Sequence, residues 1–462
     1  MLLPQLLLRR RRRFRESGRD LIWWYCFPQF RKLFHPYSLL GVERVIVIDL
    51  RDDSWLSYWA TFLLAGEKVH MTISFKSSIP HLIAVLVGVC VANGVAAGAG
   101  KSHYVVTNDD SPPALASSAT FYTVGANGLL NMKAKVLTGR GGIAGGYFAA
   151  NRVSVLNSGN AQCVYTSQAQ TGEIEGIVVK TLEIGGHAVG SSKDTGASNG
   201  VGLAMNAKYL YGSFTDSSNI GTFRVLPGCS LKFVGDISVK GLQGGVIDGM
   251  AIHGNIMVVT YGDNSIESFN ISGGEPVSNG DEQNSTGSRI GNTYPSGVDI
   301  TQDGHFAIFG DTSPFTILEV SDISSGKLAP TAVYHLGKAL NSSNVLLSPD
   351  ESLLYISNNQ SGTVTAAFFD KSTGKLSKGC VSRPLKGFDA DWSYVASLAL
   401  DQTTGTGGVL YVAEYGAPSS IGEIGVKSAG GKCTLTESSH SPVSDPNSPG
   451  LLSIGAFPPR PF

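Results

Sequence analysis

Five acidic residues recur in phase along this chain. Asp109, Asp216, Asp263, Asp311 and Glu414 each follow a short run of apolar and β-branched residues. Carboxylates repeated in this way would make an electronegative rim, able to attract a cation or a polar ligand. The same residues also suit short turns, because Asp accepts hydrogen bonds from its own backbone. Which chemistry holds depends on the elements that carry them.

A second group lies in the segments between the repeated runs: Arg140, Asp248, Tyr294, Trp392 and Tyr394. Phe388 to Tyr394 stands out, since it puts Trp392 and Tyr394 beside Asp389 and Asp391. Aromatic rings with nearby carboxylates suit a sugar or another amphipathic ligand. They equally suit an apolar plug between structural units. The histidines His187, His253, His305, His335 and His440 are scattered. His253 and Asp248 flank one short apolar run, which places them at its opposite ends. Ser is plentiful, but no Gly-x-Ser-x-Gly elbow, phosphate-binding loop or dinucleotide fingerprint is present. No CxxC pair or His-rich cluster supports a zinc site. We therefore expect no catalytic residue, no metal and no cofactor.

The elements that must position these side chains repeat. Seven units, spaced roughly 45 to 60 residues apart, each show one apolar run, a turn and a second run. The clearest is Leu353 to Ser357, the turn at Asn358 to Gly362, then Thr363 to Phe369 and the turn Thr373 to Lys375. Strand, turn, strand at this period is the signature of a four-stranded propeller blade. A further apolar run precedes most units, as at Gly202–Met205, Gly249–Ile252, Gly297–Ile300, Val345–Leu347 and Ala396–Leu400. These runs are the expected innermost strands. The first unit lacks one, and Gly450–Gly455 near the C-terminus is expected to supply it. That joins the two ends of the ring and removes an exposed strand edge. The fold expected is all-β: a seven-bladed β-propeller of four-stranded blades, closed by the C-terminal strand. On such a ring the five acids lie too far from the axis to share one ion, which favours turn chemistry.

The unit from Leu353 to Asn358, with Thr373 to Leu376, resembles the lactonase-like, YVTN-repeat β-propellers. Tyr104 to Asn108, Ser325 to Leu328 and Gly408 to Val412 are further echoes. The resemblance spans about residues 103 to 455 and is specific for blades. It implies 6-phosphogluconolactonases, muconate-lactonising cycloisomerases and exported proteins without an assigned reaction as relatives. Enzymes of the family tend to place a His-rich segment before a blade strand, with Arg and Glu in the central cavity. The corresponding stretch, Gly185 to Val201, holds only His187. The reading is thus a ligand- or protein-binding scaffold. The alternative is a lactone hydrolase or cycloisomerase that draws on Arg140, His187, Asp248 or Arg224. A metal-stabilised ring is a further reading, which loss of stability in chelator would support.

The front of the chain differs from the rest. Residues 1–70 hold four of the five Trp and 10 of the 16 Arg, but 3 of the 57 Gly. We read them as an artefactual or disordered extension, with the start at Met71. Residues 71–99 then form a signal peptide: Lys76, an apolar core from Leu82 to Ala92, and small residues at Ala97 and Ala99. The propeller is residues 100–462. That portion has 22 Lys plus Arg against 29 Asp plus Glu. The acidic balance argues against nucleic-acid or anionic-membrane binding. Cys163, Cys229, Cys380 and Cys433 remain, an even number with three possible pairings. An exported monomer with two disulfides is expected, which takes a small molecule, a sugar or a protein as its ligand.

Overall fold

A computed structural model describes residues 44–48, 56–64 and 67–75, and then residues 103–459 except 110–116, 126, 140, 143–150, 159–160, 191–200, 286–293, 313–315, 338–340, 390–393, 401–407, 417–418, 447–449 and 452. The chain divides into two units, Met1–Gly100 and Lys101–Phe462. In the first, Arg44–Ile48, Leu56–Leu64 and Glu67–Phe75 form an antiparallel meander in which Met71 pairs with Ala60. The expected signal core, Leu82 to Ala92, lies outside the described residues.

The second unit is a seven-bladed propeller. Blade 1 combines Ser453–Phe457, innermost, with Tyr104–Asn108, Ser118–Val124 and Leu130–Leu137. Blade 2 begins at Val153–Ser158, an inner strand that none of the sequence patterns had indicated, and continues through Ala161–Gln168, Glu173–Val178 and Glu183–Val189. Blade 3 is Val201–Met205, Tyr209–Phe214, Asn219–Val225 and Leu231–Ser238. Blade 4 is Ile247–His253, Ile256–Tyr261 and Ser265–Asn270, with two short outer pieces, Val277–Ser278 and Gln283–Asn284. Blade 5 is Tyr294–Ile300, Phe306–Thr312, Thr316–Asp322 and Ala329–Gly337. Blade 6 is Ser342–Leu347, Leu353–Asn358, Thr363–Asp370 and Lys375–Val381. Blade 7 is Tyr394–Leu400, Val409–Tyr415, Ser420–Ala429 and Lys432–Glu437, with Val443–Ser444 also paired to its third strand.

Burial explains why the second strands read as unbroken apolar runs. Every residue of Leu353–Asn358 is buried, because blades cover both faces of the strand. The outermost strand of the same blade, Lys375–Val381, is mostly exposed. The inner strands contact one another in an unbroken cycle, blade 1 included. Ring closure is as expected: Ser453 pairs with Asn108 and Phe457 with Tyr104, antiparallel. The closing strand sits three residues later than the apolar pattern suggested. The seam is further tied where the buried Glu423 of blade 7 accepts the Leu130 N–H of blade 1 at 2.7 Å.

The repeated motif does its work between blades. The motif tyrosine reaches across to a turn of the next blade in two places. Tyr211 Oη donates to Gly274 O at 2.7 Å, and Tyr411 Oη to Gly128 O at 2.8 Å. Two residues on, a hydroxyl donates to the inner strand of the next blade. Ser167 reaches Val201 O at 2.5 Å, Thr260 reaches Ser296 O at 3.0 Å and Ser357 reaches Ala396 O at 3.3 Å. The following Asn358 donates to Thr363 and Thr365, holding its own turn. Inner strands also approach so closely that a side chain is excluded. A Cβ on Gly249 would lie 2.0 Å from Ser296 O, and one on Gly297 2.2 Å from Ser343 O.

Two disulfides add covalent ties. Cys163–Cys229 links blades 2 and 3, and Cys380–Cys433 links the outer strands of blades 6 and 7. In the chain-entropy account, closing loops of these lengths contributes about 4 kcal/mol each.

Candidate functional site

The inner strands enclose a cavity of about 710 Å³ along the axis. Its waist can be read from strand register. Ala456, Ser154, Ala204, Ala251, Asp299, Leu346 and Ala399 each lie opposite the motif tyrosine or its equivalent, and all seven line the cavity. Small side chains in five of the seven blades keep the waist open. The mouth is at the turns from inner to second strands, where Asn206, Lys208, Tyr209, His253, Asn255 and Gln302 gather. Asn206 Oδ1 accepts the N–H groups of Lys208 and Tyr209, both at 2.9 Å, which fixes that turn.

Among the described residues the lining has one carboxylate, Asp299, one ammonium, Lys208, and one imidazole, His253. Asp299 is engaged by backbone: it accepts from the N–H of Ile300 and of Leu347, each at 2.8 Å. That carboxylate bridges blades 5 and 6 and is a poor candidate for a base. Amides and hydroxyls supply most of the remaining polarity, from Asn151, Ser154, Asn206, Asn255, Ser272, Gln302 and Asn344.

Of the five residues singled out from the inter-blade segments, the three that are described are placed elsewhere. Arg140 and Trp392 lie outside the described residues. Tyr294 and Tyr394 open the inner strands of blades 5 and 7, and Asp248 is the second residue of the blade 4 inner strand. All three are thus at the end of the ring opposite the cavity mouth. Tyr394 is half-buried and tilts against Tyr415, with ring centroids 5.9 Å apart. Asp248 is buried, and burial holds its carboxyl well above the usual range. His253, at the far end of the same strand from Asp248, joins the mouth instead.

Two residues of the enzymatic alternative do not reach the axis. His187 is exposed on the outermost strand of blade 2, where Gly185 and Gly186 pack on the Gly228–Ser230 turn of blade 3. Arg224 is exposed on the third strand of blade 3. With Asp248 in the inner strand of blade 4, these three side chains do not converge. Sequence reasoning also passed over Arg152. It precedes the inner strand of blade 2 and is the largest fully buried side chain among the described residues. Since that inner strand lacked a clear pattern, nothing marked its neighbour.

The five phased acids divide into three kinds. Asp263 does the expected turn chemistry. Burial alone would raise its carboxyl, but the Ser265 hydroxyl and the N–H groups of Gly245, Gln243 and Ser265 outweigh that and hold it low. Asp216 is exposed. Asp109, Asp311 and Glu414 are buried inside the ring, which turn chemistry alone does not explain. Burial pushes Asp109 up to about 7, with the Asp445 carboxylate adding to it, although Ser118, Thr120 and Thr107 donate to it. Burial, with Glu319 adding to it, pushes Asp311 up to about 8. Burial pushes Glu414 up to about 7, against a hydrogen bond from Ser420. These carboxyls are built into the interior as partly or wholly protonated groups.

No protein-family model matches the chain, and no curated protein matches it in sequence. Its fold does match solved structures. A proposed 6-phosphogluconolactonase from Bacteroides fragilis superposes with a TM-score of 0.60 at 14% identity, over 78% of this chain and 100% of that one. A periplasmic gluconolactonase from Pseudomonas aeruginosa gives 0.59 at 12% identity, over 77% and 99%. A protein of unknown function from Desulfotomaculum acetoxidans gives 0.57 at 15% identity, over 78% and 99%. At these identities the likeness is one of fold: the chain shares the seven-bladed ring of the lactonase-like propellers.

Proposed function

We propose that this chain is an exported binding propeller that takes a small molecule in its axial channel, without catalysing a reaction. The channel itself carries the reading. It has the volume of a small-molecule site, all seven inner strands build it, and amides, hydroxyls and apolar side chains dominate its wall. An enzyme site would need a nucleophile or base with a free lone pair facing the substrate. In the described lining the one carboxylate, Asp299, is held by two backbone N–H groups, and the one imidazole, His253, stands among the turn residues of the mouth and not at the waist. Export is supported by two inter-blade disulfides, which persist in oxidising compartments. It also draws on the signal-like sequence of residues 71–99.

The test is titration calorimetry of the full chain against sugars, polyols, lactones and small organic acids, repeated with Ala251→Phe and Ser154→Phe, which narrow the waist. Saturable binding that both substitutions weaken is expected. Binding that neither substitution touches would remove the channel from consideration.

A second reading is favoured by the fold shared with two lactonase-named proteins. Lactone hydrolysis releases a proton, so proton release from sugar and aliphatic lactones, 6-phosphogluconolactone included, tests it directly. Turnover well above the spontaneous rate would replace the binding reading.

A further inference from the structure

Four Asn-x-Ser/Thr triplets occur in the chain, headed by Asn270, Asn284, Asn341 and Asn359. In an exported protein such a triplet can accept an oligosaccharide on its Asn side chain, provided that it lies at the surface. The fold sorts the four. Asn359 is buried, and the Ser361 hydroxyl of its triplet is bonded to Thr363. Asn341 is half-buried, and the hydroxyl of its Ser343 lies 3.0 Å from Ser357 Oγ. Asn284 is exposed, but the third residue of its triplet lies outside the described residues.

Asn270 meets every requirement. It ends the third strand of blade 4, and both it and Ser272 are exposed. Its Oδ1 accepts the Ser272 N–H at 2.9 Å, the turn in which an Asn side chain bonds the backbone two residues on. That bond holds Ser272 beside the amide and engages the oxygen, not Nδ2. Gly273 follows with open space around it. A second observation is independent of the triplet. Asn270 pairs directly with Val277 on the outer strand, and directly opposite residues of antiparallel strands project from the same face. Val277 is 64% exposed, more than any other large apolar side chain among the described residues. A sugar on Asn270 would lie over it, with the C–H face of the ring against the valine methyls.

We propose that Asn270 carries an N-linked oligosaccharide whose first sugar covers Val277. This rests on the export reading. The donor is a polyprenyl-diphosphate-linked oligosaccharide. A bond forms between Nδ2 and the anomeric carbon, the bond from that carbon to the diphosphate oxygen breaks, the polyprenyl diphosphate leaves, and Nδ2 gives up one proton. For the test, the full chain is expressed in a glycosylating secretory host, such as yeast. The secreted protein is treated with the amidase that releases N-linked glycans and leaves Asp in place of the modified Asn. Peptide mass analysis should then find Asp at position 270 and Asn at position 359. Asn270→Asp, which keeps the turn-forming oxygen and removes the nitrogen, should abolish modification at that position. Ser272→Ala should abolish it too, and Ser272→Thr should restore it. The glycosylated protein should melt at a higher temperature than the amidase-treated one, and Val277→Thr should shrink that difference. Secreted protein with Asn270 unmodified, or with Asn359 modified as fully as Asn270, overturns the site and leaves export standing. A melting difference that is absent or indifferent to Val277→Thr overturns the cover. Chain retained in the cytosol without modification overturns both the site and the export reading.

Discussion

Raising the pH should destabilise this protein well before any lysine titrates, and Asp311 is the residue on which to show it. Its side chain is fully buried at the end of the second strand of blade 5, and burial with Glu319 pushes its carboxyl to about 8. In the unfolded chain the same group titrates at 3.8. The folded state therefore holds a proton that the unfolded state has lost, across the window from about 4 to about 8. Stability then falls as pH rises. Below the unfolded value the contribution is fully present, and above about 8 it is gone. At about 1.4 kcal/mol per pH unit, the loss across the window is on the order of 5 kcal/mol. Asp311→Asn keeps the shape and removes the titration. Urea unfolding at intervals from pH 4 to 8.5 should find the variant close to wild type at pH 4. At pH 8.5 it should be more stable by several kcal/mol. Glu319→Gln should move the wild-type fall to lower cost, because it removes the second buried carboxylate. Profiles for wild type and Asp311→Asn that run parallel from pH 5 to 8 would refute the reasoning. They would mean that Asp311 is already ionised when folded.

Three further outcomes follow from the fold. Deleting residues 448–462 removes the inner strand of blade 1, so the thermal midpoint of the whole ring should drop, and an unchanged midpoint would disprove closure at that strand. Cys380→Ser with Cys433→Ser opens one 53-residue link and should cost about 4 kcal/mol in chemical denaturation; a loss below 1 kcal/mol would mean that the blades are held by packing alone. Gly297→Ala forces a Cβ to within 2.2 Å of Ser343 O and 2.8 Å of Asn344 Cα. It should cost about 2–3 kcal/mol by the same measurement, whereas Gly326→Ala, with open space around it but a φ of 82°, isolates the backbone part of any glycine effect.

Much of the ring is legible in the sequence because its second strands are buried on both faces. Leu353–Asn358 and Val409–Tyr415 read as apolar runs for that reason, and the turns after them carry Asn, Gly and Ser. The glycines that open Gly249–Ile252 and Gly297–Ile300 are equally physical, since the next inner strand leaves no room for a Cβ. Blade 2 is the counter-example. Val153–Ser158 is half polar, and one of its polar residues, Ser154, lines the open channel, where an apolar side chain is not required. The acids were harder. Asp311 lies three residues after Ile308, still within its second strand, and is sealed beside Glu319, whereas Asp263 lies five after Val258, in the turn beyond its strand, and is held by turn N–H groups. That offset of two residues decides between buried strand and turn, and it shows only once the register of the blades is known.

The channel was the least legible part, and the reason is chemical. A search for function looks for residues that can react, and it led to Trp392, Tyr394, Asp248 and Arg140 in the loops between blades. The cavity is made instead by what its waist leaves out: Ala204, Ala251, Ala399 and Ala456 have no chemistry to notice. They matter only because seven strands bring them to one axis in one register. The polar groups at the mouth are ordinary turn residues for the same reason. Lys208 follows an Asn-capped turn, and His253 ends a strand whose other end carries the buried Asp248. Each looks like a surface residue until the ring closes and brings both to one cavity. In a propeller, then, a ligand site should be sought first as a register of small residues on the inner strands, and only afterwards as a motif. Applied here, that rule favours the channel over the loops, and the Ala251→Phe titration distinguishes them with one substitution.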